Sequence, residues 1–191
     1  MILYLHGFRS SPSSFKARAL NDCLENRGLG DHFVCPQLPE SPREAIALAS
    51  HLMAGHDPDR VTLIGSSLGG YYANWLAEET QCRAVLLNPV IDPWRLRADQ
   101  NRPPGTPELA DWEKDREKYA AELRMFRVLH ITRPERYLLI AATGDELLDY
   151  RQMCAHYLGA RQIIIEGGDH SLSAFPDYLD EIVAFSGLAQ A

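Results

Sequence analysis

Along this chain, short apolar runs closed by glycine or proline alternate with longer stretches in which apolar residues recur every three or four positions, the two periodicities of buried strands and amphipathic helices. Met1 to Leu5 reads as a strand, followed by a loop at His6-Gly7-Phe8. Ser11-Pro12 offers a helix N-cap with proline in the first turn, and Phe15, Ala19, Leu20, Cys23 and Leu24 predict an apolar helix face ended by Gly28. His32 to Cys35 is a second short strand, closed by Pro36. Ser41-Pro42-Arg43-Glu44 is a capping box, and Ile46, Ala49, Leu52 and Met53 mark the inward face of the helix it opens.

The run from Val61 to Leu76 changes period within a few residues. Val61 to Ile64 is a buried-strand pattern that stops at Gly65, whereas Leu68, Tyr71, Tyr72, Trp75 and Leu76 fall on one helical face. A strand that becomes a helix so quickly needs a very tight turn, and Gly65, Gly69 and Gly70 provide small residues around an apex at Ser67. Beyond it, Ala84 to Leu87 is a fourth strand ended by Asn88-Pro89, Tyr137 to Ala142 a fifth and Ile163 to Ile165 a sixth. Helices are predicted over Leu147 to Leu158 and Pro176 to Phe185. Residues 90–133 break the alternation: they carry prolines at 93, 103, 104 and 107, then a charged helical stretch from about Glu108 to Phe126, and read as an insertion or cap lying over the C-terminal edge of the sheet. Regular alternation of strand and helix implies right-handed crossovers, a parallel sheet covered on both faces, and ligands at the C-terminal strand ends.

Composition narrows the class without deciding it. One domain of 191 residues is long enough for a sizeable core, and 46% hydrophobic with 24% charged residues is ordinary for a globular chain. A net charge of −7 argues against a nucleic-acid or anionic-membrane surface and favours small-molecule or protein partners. The four cysteines, Cys23, Cys35, Cys82 and Cys154, form no C-x-x-C pair and share no ligand spacing with histidines, so they read as free thiols and no metal site is expected. Ile2 to Leu5 is too short for a signal h-region, and a cytoplasmic location is expected.

Candidate chemistry sits after three of the strands. Gly65-Ser66-Ser67-Leu68-Gly69 matches G-x-S-x-G between a strand and a helix, the context in which a serine hydroxyl is exposed beside backbone N–H donors. The fifth strand is followed by Thr143-Gly144-Asp145 and the sixth by Gly167-Gly168-Asp169-His170. A serine hydroxyl attacks a carbonyl only if a base takes its proton, and a carboxylate must hold that base in the right tautomer; the order Ser67, Asp145, His170 is the order these roles take on a doubly wound sheet of hydrolase type. Other readings exist for each residue. The glycine-rich turn would also suit phosphate in a flavodoxin-like domain, although no P-loop lysine follows it. Asp145 would also serve as a helix cap, with Asp149 and Asp92 as rival acids.

With these motifs in hand the chain resembles the α/β-hydrolase superfamily. It is similar within it to the YqiA-like small bacterial esterases (UPF0227-like), on Leu3-Tyr4-Leu5-His6-Gly7-Phe8, Pro36-Gln37-Leu38-Pro39, Gly65 to Ala73, Asn88-Pro89, Thr143-Gly144-Asp145-Glu146 and Glu166 to His170. The resemblance implies a compact six-stranded sheet in the order 2-1-3-4-5-6, lacking the first two strands of larger relatives. It implies hydrolysis of carboxylic esters or thioesters by Ser67, Asp145 and His170, with neither metal nor cofactor. The oxyanion would meet the backbone N–H groups of Leu68 and Phe8. His6 would brace that loop, and His6, Tyr71 and Trp94, with Leu96, are candidate pocket residues. Asn101-Arg102-Pro103-Pro104-Gly105 departs from the Asn-Pro-Tyr-Thr-Gly type of segment expected there, which bears on substrate selection. A hydrolase-shaped binding module without turnover is the remaining alternative.

Overall fold

A computed structural model describes residues 1–95 and 107–188, with backbone only for residue 95 and residues 107–114. Leu96 and the 101–105 run therefore lie outside the described residues. Six parallel strands, β1 (Ile2–Leu5), β2 (Phe33–Val34), β3 (Thr62–Ser66), β4 (Arg83–Leu87), β5 (Tyr137–Ala142) and β6 (Arg161–Ile165), form one sheet in the order β2-β1-β3-β4-β5-β6. The helices are α1 (Phe15–Glu25), α2 (Pro42–Met53), α3 (Leu68–Thr80), α4 (Pro107–Met125), α5 (Tyr150–His156) and α6 (Leu179–Ser186).

The order β2-β1-β3 explains the layers. The crossover from β1 to β2 runs one way along the sheet and every later crossover runs the other, so right-handed connections place α1 on one face and α2, α3 and α5 on the opposite face. Alternate strand residues feed the two layers. Ile2, Tyr4, Ile64, Val85, Leu138 and Ile140 pack under Ala17, Leu20 and Leu24 of α1 and Ile182 and Val183 of α6. Leu3, Leu5, Leu63, Leu86 and Leu139 face α2, α3, α5 and the C-terminal half of α4. The central strands β1, β3 and β5 are buried along their whole length, as a parallel sheet covered on both sides requires, while β6 at the edge is partly exposed.

The register brings the strand ends level. Leu5 pairs with Gly65, Ser66 with Leu87, Leu87 with Ile140 and Ala142 with Ile165. His6, Ser67, Asn88 and Thr143 therefore begin the loops on one rim, and the first two flank the place where the winding reverses, between β1 and β3.

Several local expectations shift. Ser14, not Ser11, precedes α1, because Ser14 N–H first closes a turn onto the Ser11 carbonyl (3.0 Å). Phe15 is 49% exposed, since a residue five positions before Leu20 points about 140° away from it on a helix. The strand predicted over 32–35 shortens to Phe33–Val34, because His32 belongs to a 3₁₀ turn. The helix predicted from Leu147 starts at Tyr150, with the Asp149 side chain accepting from Arg151 N–H (2.9 Å), and the stretch opened by Pro176 is a 3₁₀ turn before α6. Among the described residues no helix is long and apolar enough to cross a membrane.

Candidate active site

Ser67 closes β3 and opens α3 with φ 54° and ψ −118°, a conformation that is strained for any residue with a side chain. Close packing holds it there. A Cβ on Gly69 would fall on the Leu5 carbonyl oxygen and one on Gly65 would fall on the Gly69 carbonyl, so only hydrogen lets the elbow nest against β1. Main-chain bonds complete the clamp: Ser67 N–H donates to the Leu87 carbonyl (3.0 Å), and the Ser67 carbonyl accepts from Gly70 N–H (2.9 Å) and Val90 N–H (3.1 Å).

The acid and histidine loops are stitched to each other before either side chain reaches the serine. Gly144 N–H donates to the Gly167 carbonyl (2.7 Å), Gly167 N–H to Thr143 Oγ1 (2.8 Å), and His170 N–H to Glu146 Oε2 (2.9 Å). Gly167 and Gly168 both have positive φ (72° and 75°), which makes the tight turn that aims His170 back over the sheet. Lys16, reaching from α1, donates to the Ser171 carbonyl (2.7 Å). Burial lowers the pKa of that ammonium, an effect opposed by the charges of Asp169 and Asp145.

Within this frame His170 Nδ1–H donates to Asp145 Oδ2 at 2.8 Å, which leaves Nε2 to accept from the Ser67 hydroxyl at 3.0 Å. The Asp145 side chain is fully buried and that of His170 is 17% exposed, so the ring edge is open to a substrate while the carboxylate is not. Asp145 Oδ1 also accepts from Leu147 N–H and Leu148 N–H (2.9 Å each), so the turn-capping role and the contact with histidine coexist in one side chain. Asp149 is occupied at the start of α5, Asp92 pairs with Arg127 (3.9 Å), and the Asp169 carboxylate is held by Ser173.

Gly7 packs on the serine: a Cβ there would sit 3.3 Å from Ser67 Cβ and 3.8 Å from its Oγ. Phe8 follows it in the loop after β1, and Leu68 is the first residue of α3, where helix geometry leaves the N–H without an intrahelical acceptor. His6 is buried, donates from Nδ1 to the Gly7 carbonyl (2.9 Å) and accepts at Nε2 from Leu38 N–H (3.0 Å). Burial holds its pKa below the ordinary histidine value, and the Gly7 contact opposes this only in part. His6 thus ties the loop after β1 to the segment after β2.

Two clefts are lined by residues of the loops on this rim. One, of about 490 Å³, is walled by His6, Phe8, Gln37, Glu40, Leu68 and Tyr72. The other, of about 130 Å³, lies between Val90 and Ile91 on one side and Leu147, Leu148 and Met153 on the other. Tyr72, which the pattern assigned simply to the helix face, contributes to the larger cleft. Tyr71 is buried and donates its hydroxyl to the Leu123 carbonyl of α4 (2.7 Å). Trp94 packs against the core beneath the Arg127 guanidinium, 4.9 Å from its ring centroid. The contacts made by Glu146 and Lys16 left no sequence signal, because their partners are backbone groups of a loop more than 20 residues away. Among the described residues no cluster of His, Cys, Asp and Glu is arranged to hold a metal ion.

Known structures share this architecture at low identity. A candidate hydrolase from Agrobacterium vitis S4 aligns with TM-score 0.71 at 18% identity, over 96% of this chain and 87% of its own. Alpha/beta hydrolase domain-containing protein 10 from mouse gives 0.69 at 14%, over 96% and 89%. Est1E from Butyrivibrio proteoclasticus, a structure with ferulic acid bound, gives 0.65 at 14%, over 99% and 87%. The fold is that of the α/β-hydrolases, with the order 2-1-3-4-5-6 expected of a compact member. A family model spans residues 1–187, and by it the chain belongs to the uncharacterised protein family UPF0227.

Proposed function

We propose that this protein is a serine hydrolase that cleaves carboxylic esters or thioesters by way of an acyl-enzyme. The observation that carries the reading is the continuous hydrogen-bonded line from Ser67 Oγ through the His170 ring to the buried Asp145 carboxylate, at 3.0 and 2.8 Å. Nε2 of His170 takes the hydroxyl proton as Ser67 Oγ bonds to the acyl carbon, and Asp145 stabilises the imidazolium and its orientation. The carbonyl oxygen becomes an oxyanion beside the N–H groups of Leu68 and Phe8, each of which is worth about 3 kcal/mol of barrier if aligned. His170 then gives the proton to the departing alkoxide or thiolate. Water attacks the acyl-enzyme with His170 again as base, releasing the acid and restoring the Ser67 hydroxyl.

The surroundings support this assignment of roles. The larger cleft is lined by Gly7 and Leu68, which adjoin Ser67, and its mixed polar and apolar walls suit a small ester. A small-molecule acyl ester or thioester is accordingly the proposed partner.

A fluorophosphonate probe tests the reading. Labelling is expected on Ser67, abolished by Ser67→Ala, and paralleled by loss of turnover on a panel of short acyl esters and thioesters. Labelling of Ser66, or a panel with no Ser67-dependent turnover, would overturn it.

A further inference from the structure

Asn88 is 1% exposed, follows the last residue of β4, and has φ 42°, a backbone conformation that costs energy away from glycine. Its own N–H still continues the β4–β5 ladder by donating to the Ile140 carbonyl (3.0 Å). In a regular parallel ladder the next bond would run from Ala142 N–H to the Asn88 main-chain carbonyl. With Asn88 at positive φ, it is the side-chain Oδ1 that accepts from Ala142 N–H, at 2.9 Å. The Nδ2 end of the same amide donates to the carbonyls of Asp169 (3.0 Å) and His170 (3.2 Å). On either side of it, the Leu87 carbonyl receives Ser67 N–H and Val90 N–H returns to the Ser67 carbonyl.

We propose that Asn88 is a positioning residue that sets His170 against Ser67 by joining the strand end before Asp145 to the backbone of the histidine loop. This rests on the serine-hydrolase reading above. Only a primary amide suits the position. It accepts one N–H and donates to two carbonyls at once. An aspartate keeps the acceptor but opposes two carbonyl oxygens with a carboxylate, while an alanine takes the acceptor from the buried Ala142 N–H and the amide donor from the His170 carbonyl, the Asp169 carbonyl keeping Leu172 N–H (3.1 Å). The turn that makes room for the amide also carries the chain to Val90 under the serine. The strain at residue 88 is therefore coupled to the placement of both the base and the nucleophile, although the Asn88 side chain meets only the main chain of His170 and bonds neither its imidazole nor the Ser67 hydroxyl.

The test uses full-length Asn88→Ala and Asn88→Asp beside wild type and His170→Gln. Two readouts are taken: the rate of fluorophosphonate labelling against pH, and the low-field proton resonance of His170 Nδ1–H, identified by its absence in His170→Gln. A displacement of about an ångström costs on the order of 100-fold in rate, so labelling of Asn88→Ala is expected to slow about 10- to 100-fold, with apparent probe affinity within about twofold of wild type. The low-field resonance should broaden or move. In Asn88→Asp the added negative charge favours the imidazolium, and the acidic limb of the labelling profile should move to higher pH. Folded variants with the wild-type resonance and profile, differing only in melting temperature, would overturn the proposal. So would failure of both variants to fold, which would make Asn88 a folding residue only. If Ser67 of wild type does not label, the functional reading falls, yet the resonance still reports whether Asn88 places His170.

Discussion

The rim around Ser67 and the helix α4 are both built on the same sheet, yet they are held in different ways. At the rim a set of bonds between main-chain groups, Ser67 to Leu87 and Val90, Thr143 to Ile165, Gly144 to Gly167, is joined by side chains such as Asn88 and Glu146 that bond the main chain of the histidine loop. Among the described residues, the C-terminal end of helix α4 and the residue that follows it are held by side-chain contacts. Glu122 accepts from the Ser41 hydroxyl (2.7 Å) and Arg43 N–H (3.1 Å) at the start of α2, Tyr71 reaches the Leu123 carbonyl, and Phe126 meets Trp75 edge-on with centroids 4.9 Å apart. Main-chain ties are insensitive to most substitutions, whereas side-chain anchors are lost one residue at a time. The serine elbow therefore sits on the first kind of support, the histidine loop adds to it the side chains of Asn88 and Glu146, and α4 sits on the second kind.

The sharpest way to break this comparison is at Asp145. In Asp145→Asn the Oδ1 bonds to Leu147 and Leu148 can persist while the carboxylate facing His170 is lost, so turnover should fall about 10⁴-fold with little change in melting temperature. Paired kinetics and thermal unfolding would show this; equal losses in both would mean that Asp145 is mainly a turn residue. Gly69→Ala attacks the same rim through its backbone. The new methyl meets the Leu5 carbonyl, and a loss of about 3 kcal/mol in urea unfolding is expected together with loss of Ser67 labelling.

On the α4 side, Glu122→Ala leaves the Ser41 hydroxyl and Arg43 N–H without their acceptor and should cost about 1 to 2 kcal/mol, with labelling by a small fluorophosphonate within about twofold of wild type. The same anchor carries a pH signature. Burial pushes the Glu122 carboxyl up, but the Ser41 hydroxyl and Arg43 N–H outweigh it and hold the pKa below the ordinary value. Its contribution is thus complete well above the unfolded-state pKa of about 4.3 and is lost as pH falls through the lower folded value. Urea midpoints measured from pH 6 down to pH 3 should drop more steeply in wild type than in Glu122→Gln. The smallest effect is expected at Arg127→Ala, which removes a guanidinium stacked on Trp94 and a 3.9 Å pair with Asp92; with the arginine half exposed, less than about 1 kcal/mol should be lost, and less still at high salt.

Hydrophobic period alone was enough to place β1, β4 and β5 to within a residue and β3 to within two, and to put a serine at the apex of a strand-to-helix turn. Each of those signals is local, since a buried strand and an apolar helix stripe are written in consecutive residues. The capping box at Ser41 was legible for the same reason. Local reading failed where competing turn signals lay close together, as at Ser11 and Ser14 before α1, or where the largely apolar Leu147-Leu148-Asp149 turn ran into a helix without a change of pattern. Asn88 was visible only as the end of a strand, and Glu122 only as one charge among many on α4.

What the order of residues determined by itself is therefore the alternation of strand and helix, and the loops in which Ser67, Asp145 and His170 stand, because apolar periodicity and turn chemistry act over a few residues. Tertiary structure decided that Asp145 faces the histidine while Asp149 caps α5 and Asp92 turns to Arg127. It decided likewise that a buried amide at 88 replaces a main-chain carbonyl, and that α4 is fastened through Glu122 to a helix start about 80 residues earlier. A hydrogen bond between distant residues leaves no period in either segment, so its partner is known only when the chain has closed on itself.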